Sequence, residues 1–266
     1  MKYIIIKIFY EFDSFGARIM YGNIKDNQKF VEKDSFKVFS DIEELKKYLS
    51  NISFNINYLK AKLFIDFIFG EVLIETIIKE NEVNKNVYIK EKLSDIYPKY
   101  INKYDVYQED DYKNNRFKNY YLIMIPKKLS KTMNEIVNMF YLNKKVFGVD
   151  CLLFQQHLNK NIHYFYKKNI VLIQKDCSFW RFYKIINGKI VDYLVLNEDY
   201  EQFNKIKNEI FNEIVVNIDE IIIDSDYRSY ALISEEIRHQ NITYIECAPR
   251  LKNIDERKIF YAKEFN

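Results

Sequence analysis

Two blocks of alternating, Ile-, Tyr- and Phe-rich sequence, one near each end of the chain, constrain the fold more than any other feature. In the first, Lys2 to Phe12 alternates as a strand, Asp13-Ser14-Phe15-Gly16 turns the chain, Ala17 to Gly22 returns it, and residues 28 to 39 add a third strand. Asp41 then stands as an N-cap, with Glu44 in capping-box position, for a helix through Leu45, Tyr48 and Leu49. Strands at Lys62 to Phe67 and Glu71 to Lys79 follow, so residues 1 to about 82 are expected to form one mixed sheet with a covering helix.

The second block begins at Asn169. Strands are expected over Asn169 to Gln174, Phe179 to Ile186 and Lys189 to Leu196, the last two joined at Asn187-Gly188, the strongest hairpin signal in the chain. A helix over Glu198 to Ile214, a buried parallel-type strand at Glu220 to Ile223, a helix over Tyr227 to His239 and a strand at Ile242 to Glu246 come next. A last helix is expected over Asp255 to Phe265.

Between the blocks, the polar stretch Asn81 to Asn86 resets the pattern. Residues 88 to 101 read as helix, 103 to 109 and 119 to 125 as strands, 130 to 142 as helix and Lys145 to Val149 as strand, and Asp150 opens a helix through His157 and Leu158. Glu109-Asp110-Asp111 with Asn114-Asn115 reads as a solvated loop rather than a metal site.

Composition narrows the function. The 266 residues carry 41 Lys+Arg and 38 Asp+Glu, a formal charge of +3, too even for a nucleic-acid coat. Only 5 Gly and 3 Pro occur, with 48% hydrophobic residues, which excludes collagen-like, linker-like and disordered classes. Gly16, Gly22, Gly70, Gly148 and Gly188 are too scattered for a Walker loop, a dinucleotide fingerprint or a kinase phosphate cover. Cys151, Cys177 and Cys247 are far apart and read as buried reduced thiols in a cytosolic protein. His157, His163 and His239 are scattered and form no metal or catalytic motif. The apolar stretch Tyr3 to Tyr10 is broken by Lys7 and falls short of the ~20 residues that cross a bilayer. It has no cleavage site of the export type. The 23 Tyr and 21 Phe alternate inside expected strands and so read as core and interface rather than as base-stacking platforms.

Strands, helix, strand, helix, strand, given twice, resembles the half-module of the actin-like and ribonuclease-H-like folds. The segment between resembles the PilM family of type IV pilus assembly proteins, relatives of FtsA, and the cytoplasmic part of GspL. The residues that carry this are Ile89-Lys90-Glu91 through Ile96-Tyr97-Pro98, then Tyr104-Asp105-Val106-Tyr107, then Leu122-Ile123-Met124-Ile125-Pro126-Lys127, a helix over 130 to 142, and Val149-Asp150. The resemblance implies an α/β protein of two actin-like lobes with a small inserted α/β subdomain in the first. The expected limits are 1–85 for the first lobe, 86–149 for the insert and 150–266 for a second lobe lacking the subdomain that covers nucleotide in relatives.

Active members of that superfamily resemble one another in two Asp-x-Gly phosphate loops and a Gly-Gly adenosine turn. At the matching places this chain has Asp13, Ser14 and Gly16, then Lys175, Asp176, Cys177 and Ser178, then Asp224, Ser225 and Asp226. The acids persist and the glycines mostly do not. Side chains with a Cβ obstruct the close backbone approach that cradles phosphates. The expectation is a pseudo-ATPase with no cofactor, no catalytic residue and no metal, serving as a cytoplasmic scaffold in a pilus, competence or type II secretion-like machine. The resemblance implies a PilN-like inner-membrane tail as partner, at most peripheral association with the membrane and no nucleic-acid ligand; a homodimer is left open. Two alternatives stand beside it. One is an ATPase that binds Mg·ATP in relaxed loops, and the other a metal-dependent nuclease using Asp13, Asp224 and Asp226, with Asp176 as a fourth ligand. Arg228 and Lys175 are expected to pair with these acids if they hold no metal.

Overall fold

The computed structural model describes residues 2–11, 14–25, 28–57, 59, 61–78, 85–96, 98, 101–110, 119–142, 145–160, 168–198, 217–225 and 241–246. The chain divides into two compact units, residues 1–70 with 136–266, and 71–135.

The first unit holds two five-stranded sheets built on one plan. In the first sheet, β1 (Lys2–Glu11), β2 (Ser14–Lys25) and β3 (Gln28–Phe39) run antiparallel as a meander. The helix α1 (Ile42–Ile56) then leads to β4 (Ala61–Phe69), which lies parallel to β1. Asp41 caps α1 by accepting the N–H groups of Glu43 and Glu44, and Leu45, Leu49, Ser53 and Ile56 form its buried stripe. β1 is buried on both faces, so its sequence is a near-continuous apolar run.

The edge strand of this sheet comes from further along the chain. β8 (Lys145–Val149) lies parallel to β4, giving the order β3-β2-β1-β4-β8. The strand expected next to it from the sequence, β5 (Leu73–Ile78), belongs elsewhere. Alternation in 71–79 specifies a strand but not its partner, and antiparallel pairing with the Leu122–Met124 region takes it out of the first sheet.

The second sheet repeats the plan. β9 (Asn169–Asp176), β10 (Phe179–Ile186) and β11 (Lys189–Asn197) are antiparallel, and β12 (Glu220–Ser225) and β13 (Ile242–Glu246) extend it in parallel as β11-β10-β9-β12-β13. Asn187 and Gly188 both have positive φ, 51° and 77°, which is the two-residue hairpin that the Asn-Gly pair predicts. Val171, Ile173, Trp180, Phe182, Leu196, Ile221 and Ile223 form the core on one face. The helix α4 (Asp150–Lys160) carries Gln155, whose side chain accepts the Ile190 N–H and donates to the Gly188 carbonyl, fixing that hairpin. The helices expected over 198–214, 227–239 and 255–265 lie outside the described residues.

The second unit contains a three-stranded antiparallel sheet, β5-β7-β6, from β6 (Tyr104–Asp110) and β7 (Asn119–Pro126) with β5. The helix α2 (Lys85–Ile96) supplies Ile89 and Leu93, one turn apart, to a core with Leu122 and Met124 on one face of β7. The helix α3 (Lys127–Asn138) begins directly after Pro126, where the ring ends the strand.

Candidate functional site

The ends of β1 and β9 meet in the first unit, and their turns form the site. Phe9 of β1 stacks on Phe179 of β10 with ring centroids 4.7 Å apart, and Phe36 of β3 meets Phe179 edge-on at 6.4 Å. These rings bring the two sheets together beside a set of buried charges.

Asp176, at the end of β9, is the centre of that set. Its carboxylate accepts from Lys7 of β1 through Oδ2 and from Arg18 of β2 through Oδ1, and Arg181 of β10 approaches Oδ2 at 3.6 Å. Arg18 also makes a bidentate pair with Asp34 of β3, at 3.0 and 2.5 Å. On the far side, Arg181 donates to Asp150 Oδ1 at 2.6 Å, and Asp150 Oδ2 accepts the hydroxyls of Tyr183 and Tyr193. A continuous chain of alternating charge thus runs from Asp34 through Arg18, Asp176 and Arg181 to Asp150.

Burial would raise the Asp176 carboxyl, but the charges of Lys7, Arg18 and Arg181 outweigh it and hold the group well below the ordinary carboxylate range. For the Arg18 guanidinium burial works the other way, and Asp176 and Asp34 together keep it firmly protonated. Next in the turn, Cys177 adopts φ 59° where a glycine would be strain-free, and burial beside Asp176 pushes its thiol up to about 12. A thiol raised in this way is disfavoured as a thiolate at neutral pH.

A second contact joins the sheets at the other turn. Glu11, at the end of β1, accepts the Asn197 backbone N–H at 2.6 Å through Oε2, while the Asn197 side chain donates to Ser14 Oγ at 2.6 Å. Glu11 Oε1 is buried without a hydrogen-bond partner among the described residues. Burial pushes the Glu11 carboxyl up to about 7, against the Asn197 bond that lowers it.

The residues singled out in the sequence divide as follows. Ser14, Gly16 and Asp176 come together at the junction of the sheets, Gly16 because a Cβ there would lie 3.0 Å from the Phe179 ring. Ser178 lies in the same turn as Asp176, its hydroxyl buried without a hydrogen-bond partner among the described residues. Lys175 forms an ion pair with Glu198 at 2.6 Å and lies over the Trp180 ring. Asp224 accepts from the Gln174 amide at 3.0 Å and is buried with Ser225 at the end of β12. Asp13, Asp226, Arg228, His163, His239 and Cys247 lie outside the described residues. Cys151 is a buried free thiol. Arg18 and Arg181 were not singled out, Lys7 only as a break in an apolar stretch and Asp150 only as a helix start in the Val149-Asp150 step, although a charge inside an apolar strand such as β1 or β10 was the available signal.

The donor set can be tested against Mg·ATP, which the fold implies. Such a group needs a carboxylate to hold metal-bound water and turn N–H groups that approach the phosphates closely. Here both Asp176 oxygens are taken by the chain's own cations, Glu11 Oε2 is taken by Asn197, and Cys177 brings a Cβ into the second turn. The described residues do not fit the group. Among them there is also no group of three or more His, Cys, Asp or Glu side chains placed to hold a metal ion.

No family model and no curated protein sequence matches the chain. Solved structures do. The chain is similar to one in a PilM-PilN type IV pilus biogenesis complex, with TM-score 0.61 and 8% identity over 96% of this chain and 91% of that one. It is similar to the cytoplasmic domain of EpsL, an inner membrane component of the type II secretion system of Vibrio cholerae, with TM-score 0.55 and 6% identity over 99% and 94%. A Bacteroides thetaiotaomicron protein with an actin-like ATPase fold gives TM-score 0.53 and 13% identity over 97% and 95%. The chain therefore has the actin-like fold in the form seen in PilM and in the EpsL cytoplasmic domain.

Proposed function

We propose that the protein is a non-enzymatic scaffold of a type IV pilus, competence or type II secretion-like machine, a pseudo-ATPase that binds the cytoplasmic tail of a PilN-like membrane protein. The observation that carries this is the neutralisation of Asp176 by Lys7, Arg18 and Arg181. The positive charge that a metal ion brings to a working actin-like ATPase is supplied here by side chains, which join the two sheets without a ligand. The pairing of PilM with PilN in the first structural relative supports the choice of partner, and the absence of a helix long and apolar enough to cross a membrane among the described residues is compatible with recruitment through such a tail.

Thermal unfolding with and without millimolar Mg·ATP, and with the cytoplasmic tail of a PilN-like protein, tests the reading. A ligand at about 100 times its Kd adds ~2.7 kcal/mol, which moves the midpoint of a protein of this size by about 5 °C. The tail is expected to give such a shift and Mg·ATP none. A nucleotide shift would return the ATPase reading to first place, and no shift with the tail would remove the proposed partner.

A further inference from the structure

Sheet edges carry backbone N–H and C=O groups that a second chain can join, and the first unit treats its edges in different ways. Along β3, Lys33 and Lys37 are exposed, and a bulge opposite Tyr21 and Gly22 breaks the register. At β11 and the hairpin that opens it, backbone groups are taken by side chains: Gln155 holds the Gly188 carbonyl and the Ile190 N–H, and Glu11 holds the Asn197 N–H. β13 closes on the charge of Glu246. Charges, bulges and side-chain caps are the usual means of keeping an edge from pairing.

β8 has none of these guards. It pairs with β4 on one side in unbroken register and has no strand on the other among the described residues. Val146, Phe147, Gly148 and Val149 bring no charge and no proline, and the ammonium of Lys145 is committed to the Val137 and Phe140 carbonyls at 3.1 and 2.9 Å. Phe147 is the central residue of the five and the exposed one, at 41%, although Ile65, its neighbour in register on β4, is buried. The apolar face of the sheet is thus uncovered at its last strand.

We infer that β8 is the interface with a second copy of this chain, its edge pairing antiparallel with the same edge about a two-fold axis. A two-fold axis is the symmetry that lets one patch be its own complement. In a five-residue strand the axis passes through the middle residue, so the two Phe147 rings lie opposite one another on one face, at the ~4.5–5.5 Å Cα spacing of directly opposed residues. Lys145 then falls opposite Val149 of the second copy, and like charges do not meet. A charged peptide finds no free charge on β8 to answer its own. What the edge offers is backbone pairing and one aromatic contact, and a second β8 satisfies both. This inference does not depend on the scaffold reading.

Sedimentation velocity of the full chain over about two decades of concentration in the micromolar range tests it, since such a dimer dissociates on dilution. The wild type is expected to pass from monomer to dimer. Phe147→Lys should raise the dissociation constant at least about tenfold, from the lost ring contact and the opposed like charges, with the unfolding midpoint of the dilute monomer unchanged because the side chain is exposed. Phe147→Cys reads the register: mild oxidation with copper phenanthroline should cross-link two copies, because opposed residues fall within the Cα range of a disulfide, whereas Val38→Cys on the β3 edge should not cross-link. Three results would overturn the inference: a wild type that is monomeric throughout, a Phe147→Lys variant that dimerises equally well, and cross-linking of Val38→Cys as efficient as that of Phe147→Cys. A monomeric wild type that binds a synthetic peptide of the Lys145–Val149 sequence would assign the edge to an extended peptide instead.

Discussion

Arg18 and Asp176, 158 residues apart in sequence, form a buried ion pair that joins β2 of one five-stranded sheet to the end of β9 in the other. Asp176 also takes Lys7 and lies against Arg181, so one carboxylate balances cations from three strands. Asp176→Asn leaves those cations in a low-dielectric site with only Asp34 and Asp150 to answer them. We expect a loss of about 3 to 5 kcal/mol, as when one member of a buried pair is removed. Urea unfolding measures it; a loss under about 1 kcal/mol would show that the junction behaves as a solvated surface pair.

Glu11 gives the junction a dependence on pH. Its carboxyl is raised from 4.5 to about 7 by burial, so the folded protein holds that proton more tightly than the unfolded chain does. The stabilising contribution of the protonated form is therefore complete below pH 4.5 and is lost as pH rises through about 7. Allowing for solvent screening at the joint, the drop is about 2 kcal/mol. Glu11→Gln should flatten this part of the stability profile. An equal slope in wild type and variant would assign the pH dependence to another group.

The sequence was legible where a local rule acts. The Asp41 cap, the Asn187-Gly188 turn and the strands of both blocks follow from side-chain chemistry within a few residues. Partner choice was not legible in the same way: alternation marks β5 and β8 as strands but says nothing of whether each joins β4 or β7. The site divides likewise. Asp176 stood out because it stands where the resembling superfamily has its second phosphate loop, whereas Lys7 and Arg18 acquire meaning only when β1, β2 and β9 converge. Lys175, next to Asp176 in sequence, lies on the opposite face of β9, where it forms an ion pair with Glu198.

Gly16 permits the close approach of the two sheets. An added Cβ would lie 3.0 Å from the Phe179 ring and 3.1 Å from the Phe36 ring, and Phe179 is held by its stack on Phe9 while Phe36 meets both of those rings edge-on. Gly16→Ala is expected to cost about 1 to 2 kcal/mol by overpacking, and Gly16→Val more. The companion variant Gly16→Ala/Phe179→Leu should recover part of the loss, because a smaller side chain opposite relieves the contact. Thermal unfolding of the three proteins decides this; additive losses in the double variant would mean that the strain lies elsewhere.

Arg181 links the junction to the start of α4, since it lies between Asp176 and Asp150 while being buried itself. Asp150 accepts from Arg181, Tyr183 and Tyr193, and the tyrosine hydroxyls are held well above their ordinary pKa by burial and by that carboxylate, so both remain donors at any physiological pH. Arg181→Met removes the cation that faces Asp150, at an expected cost of about 3 kcal/mol. Adding Asp150→Leu removes the uncompensated charge and should restore most of that loss, since an apolar pair of similar volume can replace a buried ion pair without penalty. The double-mutant cycle, read by denaturant midpoints, separates the pair from its surroundings. Should the second substitution deepen the loss, the tyrosine hydroxyls left without Asp150 would be the dominant contribution, and α4 would depend on them rather than on Arg181.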